Sequence, residues 1–312
     1  MQTLTDADVD RLLPMPDAIR VMEDAFRAKS EGHLHAPPRH YVRFPSGALV
    51  FTVGGDTTYS SVVGFRVYNT FPGSNEDGGV HPNRTQATMV FDSRTGALQG
   101  TVLGTRLGVL RTSAIGGVAL KYLAASDADR IGFIGSGLQA SAQLEAAKAV
   151  LPLRQLRVFS PTPANREKFA RWARETHGIE AEACGTAREV VESSSVVICS
   201  TVSSRPVLDA AWIRPGTHVT TMGSKTVTAH EIDTGVAEQA DRIATDSPPQ
   251  LTGYDEPNVL QNTSAWNRIV DLADIVAGRA PGRTAPAERT LFLSEGLAGT
   301  EVLLAAELLR RS

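Results

Sequence analysis

Cysteine is nearly absent from the 312 residues: there are two, Cys184 and Cys199, at no spacing that metal ligation uses. Two cysteines cannot build a disulfide framework, and the chain suits a reducing compartment. No sign of charge dominates either. Lys and Arg number 31 against 34 Asp and Glu, a net charge of −3, so neither a nucleic-acid nor an anionic-membrane partner is expected. No apolar run reaches the ~18 residues that a membrane span needs. The opening Met1-Gln-Thr-Leu-Thr-Asp-Ala-Asp lacks the basic and apolar segments of a secretion signal. The expectation is a cytoplasmic protein without an anchor. His33 and His35 have no cysteine or carboxylate pair nearby in sequence, so no metal site is expected.

What is present is an ordinary globular composition, 42% hydrophobic and 21% charged, in a length that suggests two domains. Ala18, Ile19, Met22, Ala25 and Phe26 share one helical face, with Pro16 and Asp17 in the first turn. Between 36 and 103, the short apolar or alternating runs Leu49–Val53, Val62–Val67, Ala87–Phe91 and Leu98–Leu103 are separated by turn residues. That spacing predicts an antiparallel meander. A helix rich in small residues follows over 105–124. From Arg130 the rhythm becomes strand–helix alternation, with strands expected at Ile131–Gly135, Leu156–Ser160, Val196–Thr201, His218–Met222 and Arg242–Thr245. Alternation of this kind implies a parallel sheet. The tail, a strand-like Thr290–Leu293 and an amphipathic helix near 300–311, is expected to return to the first domain.

The chemistry begins at Gly135-Ser136-Gly137-Leu138-Gln139-Ala140, a G-x-G-x-x-A turn between a strand and a helix. The first glycine permits the turn and the second lets backbone approach a pyrophosphate, which the free N–H groups of the helix start would hold. Ala140 allows close helix–strand packing. A carboxylate at the next strand's tip would bind a ribose 2′-hydroxyl. Here the tip reads Ser160-Pro-Thr162, with Arg166 beyond, and suits a 2′-phosphate, so NADP is favoured over NAD. Thr201 and Ser203 end one later strand, and Met222, Gly223 and Ser224 end another. Both groups fall where an open α/β sheet binds its ligand. Cys199 reads as strand packing. His81, Asn83 and Arg84, after the glycine-rich 73–79 stretch, read as a surface loop more than a substrate contact.

The run Val109-Leu-Arg111-Thr-Ser-Ala114, with the glycine turn some 20 residues later, resembles the ornithine cyclodeaminase/mu-crystallin family. So do Asp92-x-x-Thr95-Gly96, Ser160-Pro-Thr162-Pro, Met222-Gly-Ser224 followed by Glu231, and Ser294-x-Gly296. The likeness spans roughly 10–310. It implies an α/β chain: a Rossmann domain over 119–287, and an antiparallel-sheet α+β domain for dimerisation and substrate binding, built from 1–118 and 288–312. It also implies a homodimer and NAD(P)-linked chemistry at the Cα–N bond of amino or imino acids.

The family pattern further implies arginines for the substrate carboxylate. These fall on Arg111 and on Arg39, with Arg43 as the alternative. A guanidinium fork matches a carboxylate bidentately. The chain departs from the pattern twice. Arg66 stands in Gly64-Phe65-Arg66-Val67 where the family has Lys, and Lys225 stands where it has Asp. Arginine is a poor general base because it stays protonated. Lys225 could move a proton if its environment depressed its pKa; alternatively, one or two of Arg39, Arg66, Arg111 and Lys225 turn outward to solvent or pair with Glu231 or Asp233. Four cations without the usual carboxylate would favour an anionic substrate, such as a dicarboxylate or a phosphorylated amino-acid derivative, with Arg66 holding the second anion. The same departures argue against ornithine cyclodeaminase activity itself. An oxidoreductase on the CH–NH or C=N bond is the leading expectation. A cyclodeaminase, or a binding protein without turnover, are the alternatives.

Overall fold

The computed structural model describes residues 2–71 and 86–312, and the loop residues His81, Asn83 and Arg84 lie outside that range. The chain forms two compact units, 1–115 with 296–312, and 116–295.

The described residues of the first unit form seven strands: β1 (Gln2–Leu4), β2 (Leu34–His35), β3 (His40–Phe44), β4 (Gly47–Asp56), β5 (Val62–Asn69), β6 (Ala87–Asp92) and β7 (Leu98–Leu103). Their order is β1-β7-β6-β5-β4-β2, with β3 also paired to β4. The meander from β4 to β7 is antiparallel, whereas β1 joins β7 in parallel. Helices Met15–Ser30 and Glu301–Arg311 pack together, and the latter lies against β5 and β6. Strand periodicity puts Val62, Gly64 and Arg66 on one buried face of β5. The helix Arg106–Leu123 begins where the Asp6 carboxylate accepts the backbone N–H groups of Thr105 (3.1 Å) and Arg106 (2.8 Å), which the helix leaves unsatisfied.

The second unit holds β8 (Arg130–Ile134), β9 (Gln155–Phe159), β10 (Glu180–Ala183), β11 (Val196–Cys199), β12 (His218–Thr221), β13 (Arg242–Thr245), β14 (Ile269–Asp271) and β15 (Thr290–Leu293). All pair in parallel, in the order β10-β9-β8-β11-β12-β15-β13-β14. One expectation needs correction here. Thr290–Leu293 does not return with the tail; it inserts between β12 and β13, and all four of its residues are buried. Three consecutive apolar residues after a hydrogen-bonded Thr290 suit the middle of a parallel sheet, buried on both faces, better than an edge of the meander. Only the segment from Gly296 onward belongs to the first unit.

His218 sits inside the parallel sheet, fully buried, with Nδ1 2.8 Å from the Thr290 hydroxyl and Nε2 2.9 Å from that of Thr220. Burial, aided by Arg283, holds its pKa down at about 3. The unfolded chain therefore binds a proton near pH 6.5 that the folded chain refuses, and stability falls as pH drops from 6.5 toward 3. Urea titrations at pH 7 and 5 should show this loss in the wild type and a smaller one in His218→Gln. Equal losses in both would refute the assignment.

Candidate active site

The glycine turn is built as its sequence requires. Gly135 has φ +103°, and a Cβ there would lie 2.3 Å from the Ser200 carbonyl oxygen, so both conformation and space demand glycine. Above Gly137 there is open space: nothing stands within 4 Å of where its Cβ would be. Gly137 heads the helix Leu138–Val150 without any side-chain cap, leaving the first N–H groups free for an anion. Ala140 is fully buried in the core beneath. Gln139 Oε1 and Ser200 Oγ are buried nearby in sequence and strand order, and neither has a hydrogen-bond partner among the described residues. Uncapped donors, open space and unspent polar atoms together fit a dinucleotide.

At the tip of β9 the Ser160 hydroxyl lies 3.1 Å from that of Ser136, joining the tip to the glycine turn. Arg166 donates through Nη1 to the Ser160 carbonyl (2.9 Å), and its guanidinium stands 5.5 Å from the centre of the Phe159 ring. Thr162 is exposed at the start of the helix Pro163–His177. The tip presents hydroxyls and one cation, and no carboxylate.

The ends of β11 and β12 converge on Glu231, which the sequence offers as a residue of the family pattern and as a partner for one of the cations, but not as an anchor for these strand ends. This fully buried carboxylate accepts from the backbone N–H of Thr201, Met222 (3.1 Å) and Gly223 (2.7 Å) and from the Thr221 hydroxyl (2.9 Å). Ser203 N–H in turn caps onto the Thr201 hydroxyl at 3.1 Å. Cys199, the last residue of β11, is fully buried, and burial with Glu231 pushes its thiol well up, as packing rather than nucleophilic chemistry requires.

Lys225 is not the free amine that a proton shuttle needs. Its ammonium donates to the carbonyls of Gly223 (2.8 Å) and Ser294 (2.9 Å), and the Glu295 carboxylate stands 3.6 Å away. The two carbonyls take two of the three ammonium donors, and the Glu295 carboxylate is an ion-pair partner rather than a hydrogen-bond acceptor. Neither Glu231 nor Asp233 is its partner: Asp233 caps the helix Thr234–Gln239 by accepting from Gly235 N–H at 2.7 Å. Glu295 also accepts from the Tyr254 hydroxyl at 2.8 Å.

In the first unit the structure brings three of the singled-out arginines together. Arg66 projects from the buried face of β5 and Arg111 from the helix Arg106–Leu123; they are 7% and 2% exposed. Between them lies Glu301, from the helix Glu301–Arg311, fully buried. Its Oε1 accepts from Arg111 and stands 3.2 Å from Arg66 Nη1. Arg66 also donates to Gln86 Oε1 (3.3 Å) and lies over the Tyr68 ring at 4.7 Å. Glycine makes room for it: a Cβ on Gly108 would be 2.3 Å from Arg66 Nη1. Arg39 donates to the Gly296 carbonyl (3.2 Å), and a Cβ on Gly296, at φ +76°, would meet Arg111 at 2.6 Å and Arg39 at 2.8 Å. Arg43, the alternative, is exposed on β3 and stacks on Tyr41 at 5.1 Å.

Charge follows geometry. Burial lowers the Arg66 pKa against the pull of Glu301, with Arg111 adding repulsion. Burial alone would raise the Glu301 carboxyl, yet Arg111 and Arg66 together hold it down at about 2. Glu301 thus supplies the anion that sequence reading had assigned to a second negative group on the substrate, and the case for a dicarboxylate loses its premise. Among the described residues the cluster carries three cations against one carboxylate. Arg111 Nε and Nη1 and Arg66 Nε are buried without a partner among the described residues, so donors remain for an incoming carboxylate. Glu301 was missed, though a signal existed. It falls on the same helical face as Leu304, Ala305 and Leu308, and a charge on an apolar face needs a buried partner.

Among the described residues no three His, Cys, Asp or Glu side chains gather as a metal site would require. No helix among them is long and apolar enough to cross a membrane.

The chain is 31% identical over 307 residues to an alanine dehydrogenase of Archaeoglobus fulgidus, covering 97% of this chain and 92% of that one. Its fold matches the Δ1-pyrroline-2-carboxylate reductase of Thermococcus litoralis, solved with NADH and L-proline. The TM-score is 0.91 and the identity 29%, over 100% of this chain and 97% of that one. It also matches an archaeal alanine dehydrogenase dimer solved with NAD, at TM-score 0.87 and 28% identity, over 99% and 95% of the two chains. The family model for ornithine cyclodeaminase/mu-crystallin proteins fits residues 1–310, and the chain belongs to that family.

Proposed function

We propose that this protein is an NAD(P)H-dependent reductase of imino acids, able to run in reverse as an amino-acid dehydrogenase. The observation that carries the reading is Arg111. It is anchored to Glu301 through one nitrogen, while its other two are buried with no partner among the described residues, as a receptor for a carboxylate requires. Arg39, beside the same glycine, is the second arm of that receptor. The second unit holds the coenzyme, which supplies the hydride when bound. Gly135 to Gln139 take the pyrophosphate; Ser160, Thr162 and Arg166 take the adenosine ribose; Thr201, Met222 and Gly223 serve the nicotinamide.

With Arg66 always protonated and Lys225 committed to carbonyls, neither is a base in the resting geometry. The substrate therefore enters as the protonated iminium, or takes its proton from water. Arg66 stiffens the carboxylate receptor rather than moving a proton. Ornithine, with a second ammonium, meets a cluster of net positive charge and is a poor substrate. The protein acts as a homodimer, a reading supported by the relative solved as a dimer and by the exposed Val42, Phe44, Val53 and Leu103 of the first sheet. Its two free, buried cysteines suit a cytoplasmic setting.

The test is NADPH and NADH oxidation against cyclic imino acids, keto acids with ammonia or methylamine, and iminosuccinate-like dicarboxylates. Turnover is expected with a monocarboxylate imino acid. Coenzyme binding without turnover on any of them would transfer the reading to a cyclodeaminase or a binding protein. Arg166→Ala should reduce any preference for NADPH over NADH roughly tenfold, because a charge-assisted hydrogen bond of about 1.5–3 kcal/mol would be lost on one coenzyme only. An unchanged ratio of the two KM values would remove Arg166 from the 2′-phosphate site.

A further inference from the structure

The dinucleotide reading leaves one buried charge unexplained. Glu231 is fully buried, yet its hydrogen-bond partners among the described residues are three backbone N–H groups and one hydroxyl, and no cation. Burying a carboxylate this way is costly unless every donor is well placed. Its Oε2 accepts from Thr221, Met222 and Gly223 at the end of β12, and its Oε1 from Thr201 beyond β11. One side chain therefore ties together two loops that leave adjacent strands. The approach is close enough to dictate a neighbour: a Cβ on Gly223 would lie 2.8 Å from the Glu231 carboxyl carbon. Glu231 is itself fixed, its N–H bonded to the Ser224 carbonyl (3.2 Å) and its carbonyl to Val207 N–H (2.9 Å).

Topology says what these loops face. β8 carries the glycine turn, β9 lies on one side of it and β11 with β12 on the other. If the adenosine ribose takes the β9 tip, the other half of the dinucleotide extends over the ends of β11 and β12. We infer that Glu231 is a positioning residue for the nicotinamide end of the coenzyme: it touches no reacting atom, but clamps the Thr201 and Met222–Gly223 loops into a single rigid floor. This rests on the coenzyme reading above and adds a role for a residue outside the glycine turn.

The test separates the two halves of the ligand. ADP-ribose and its 2′-phosphate share the adenosine and pyrophosphate of the coenzymes but lack nicotinamide. In Glu231→Gln the amide oxygen can keep the three donors of β12, while the amide NH2 then faces Thr201 N–H, donor against donor. Calorimetric Kd values for NADH or NADPH should rise about tenfold, the loss of one charge-assisted hydrogen bond. Kd for the matching ADP-ribose should change less than twofold. Thr221→Val removes one donor and keeps the shape, and should shift the same ratio in the same direction by a smaller factor. It decides the matter if Glu231→Gln does not fold. Equal weakening of both ligands, or no weakening of either, overturns the inference and leaves Glu231 a fold residue. A wild-type protein that binds ADP-ribose no more weakly than the coenzymes overturns it too, because no floor for nicotinamide then exists. Failure of the wild type to bind any of these ligands overturns the coenzyme reading itself.

Discussion

Arg111→Lys should raise KM for the imino acid about 100-fold while leaving coenzyme Kd within about twofold. The variant keeps the charge and loses the fork. A lysine ammonium reaching Glu301 would satisfy the buried carboxylate but could not also present two parallel N–H groups to a substrate carboxylate. Bidentate charge-assisted pairs, once one partner is removed, cost about 2–5 kcal/mol, and the lower half of that range corresponds to the expected change. Steady-state kinetics with the preferred substrate, alongside coenzyme titration, check it. If KM moves less than threefold, Arg111 is only a brace for Glu301 and the substrate carboxylate binds elsewhere. Arg39→Ala serves as the comparison. Arg39 is half-buried and holds a backbone carbonyl, so its loss should raise KM by a smaller factor and leave the fold intact.

The glycine turn and the arginines were legible in the sequence for different reasons. Gly135 to Ala140 is read locally: a strand, a tight turn and a helix start are fixed by neighbouring residues, and each glycine answers to a contact within the same motif or just across it. Arg39, Arg66 and Arg111 were found through resemblance, and the structure does bring them together. What stayed hidden was long-range. Glu301 is 190 residues from the arginine it holds, and no local pattern names its partner. Lys225 looked like a free amine because its acceptors are mainly backbone carbonyls, which no sequence reading displays. β15 was misplaced because alternation of strand and helix suggests where strands form, not where a late strand inserts. β10 was missed because an edge strand with alternating exposure and two glutamates reads as loop.

Glu301→Gln should destabilise the protein by about 3–5 kcal/mol at pH 7, the usual consequence of removing one partner from a buried ion pair. Glutamine is nearly the same size, so no cavity is opened. The loss is electrostatic: two buried guanidiniums then face one amide, whose NH2 repels whichever of them it meets. The pH dependence distinguishes this from a packing defect. The folded-state pKa of Glu301 is depressed to about 2, below its unfolded value near 4.5. Its contribution is therefore fully present above about pH 4.5 and is lost as pH falls toward 2. The stability gap between wild type and variant, read from urea titrations, should be widest at neutral pH and narrow steadily below 4.5. A gap independent of pH would mean that the carboxylate's charge is not what holds Arg66 and Arg111, and the receptor would then rest on shape alone. The same variant should also bind substrate worse, because an arginine released from Glu301 can turn away from the position in which its remaining donors point at a carboxylate.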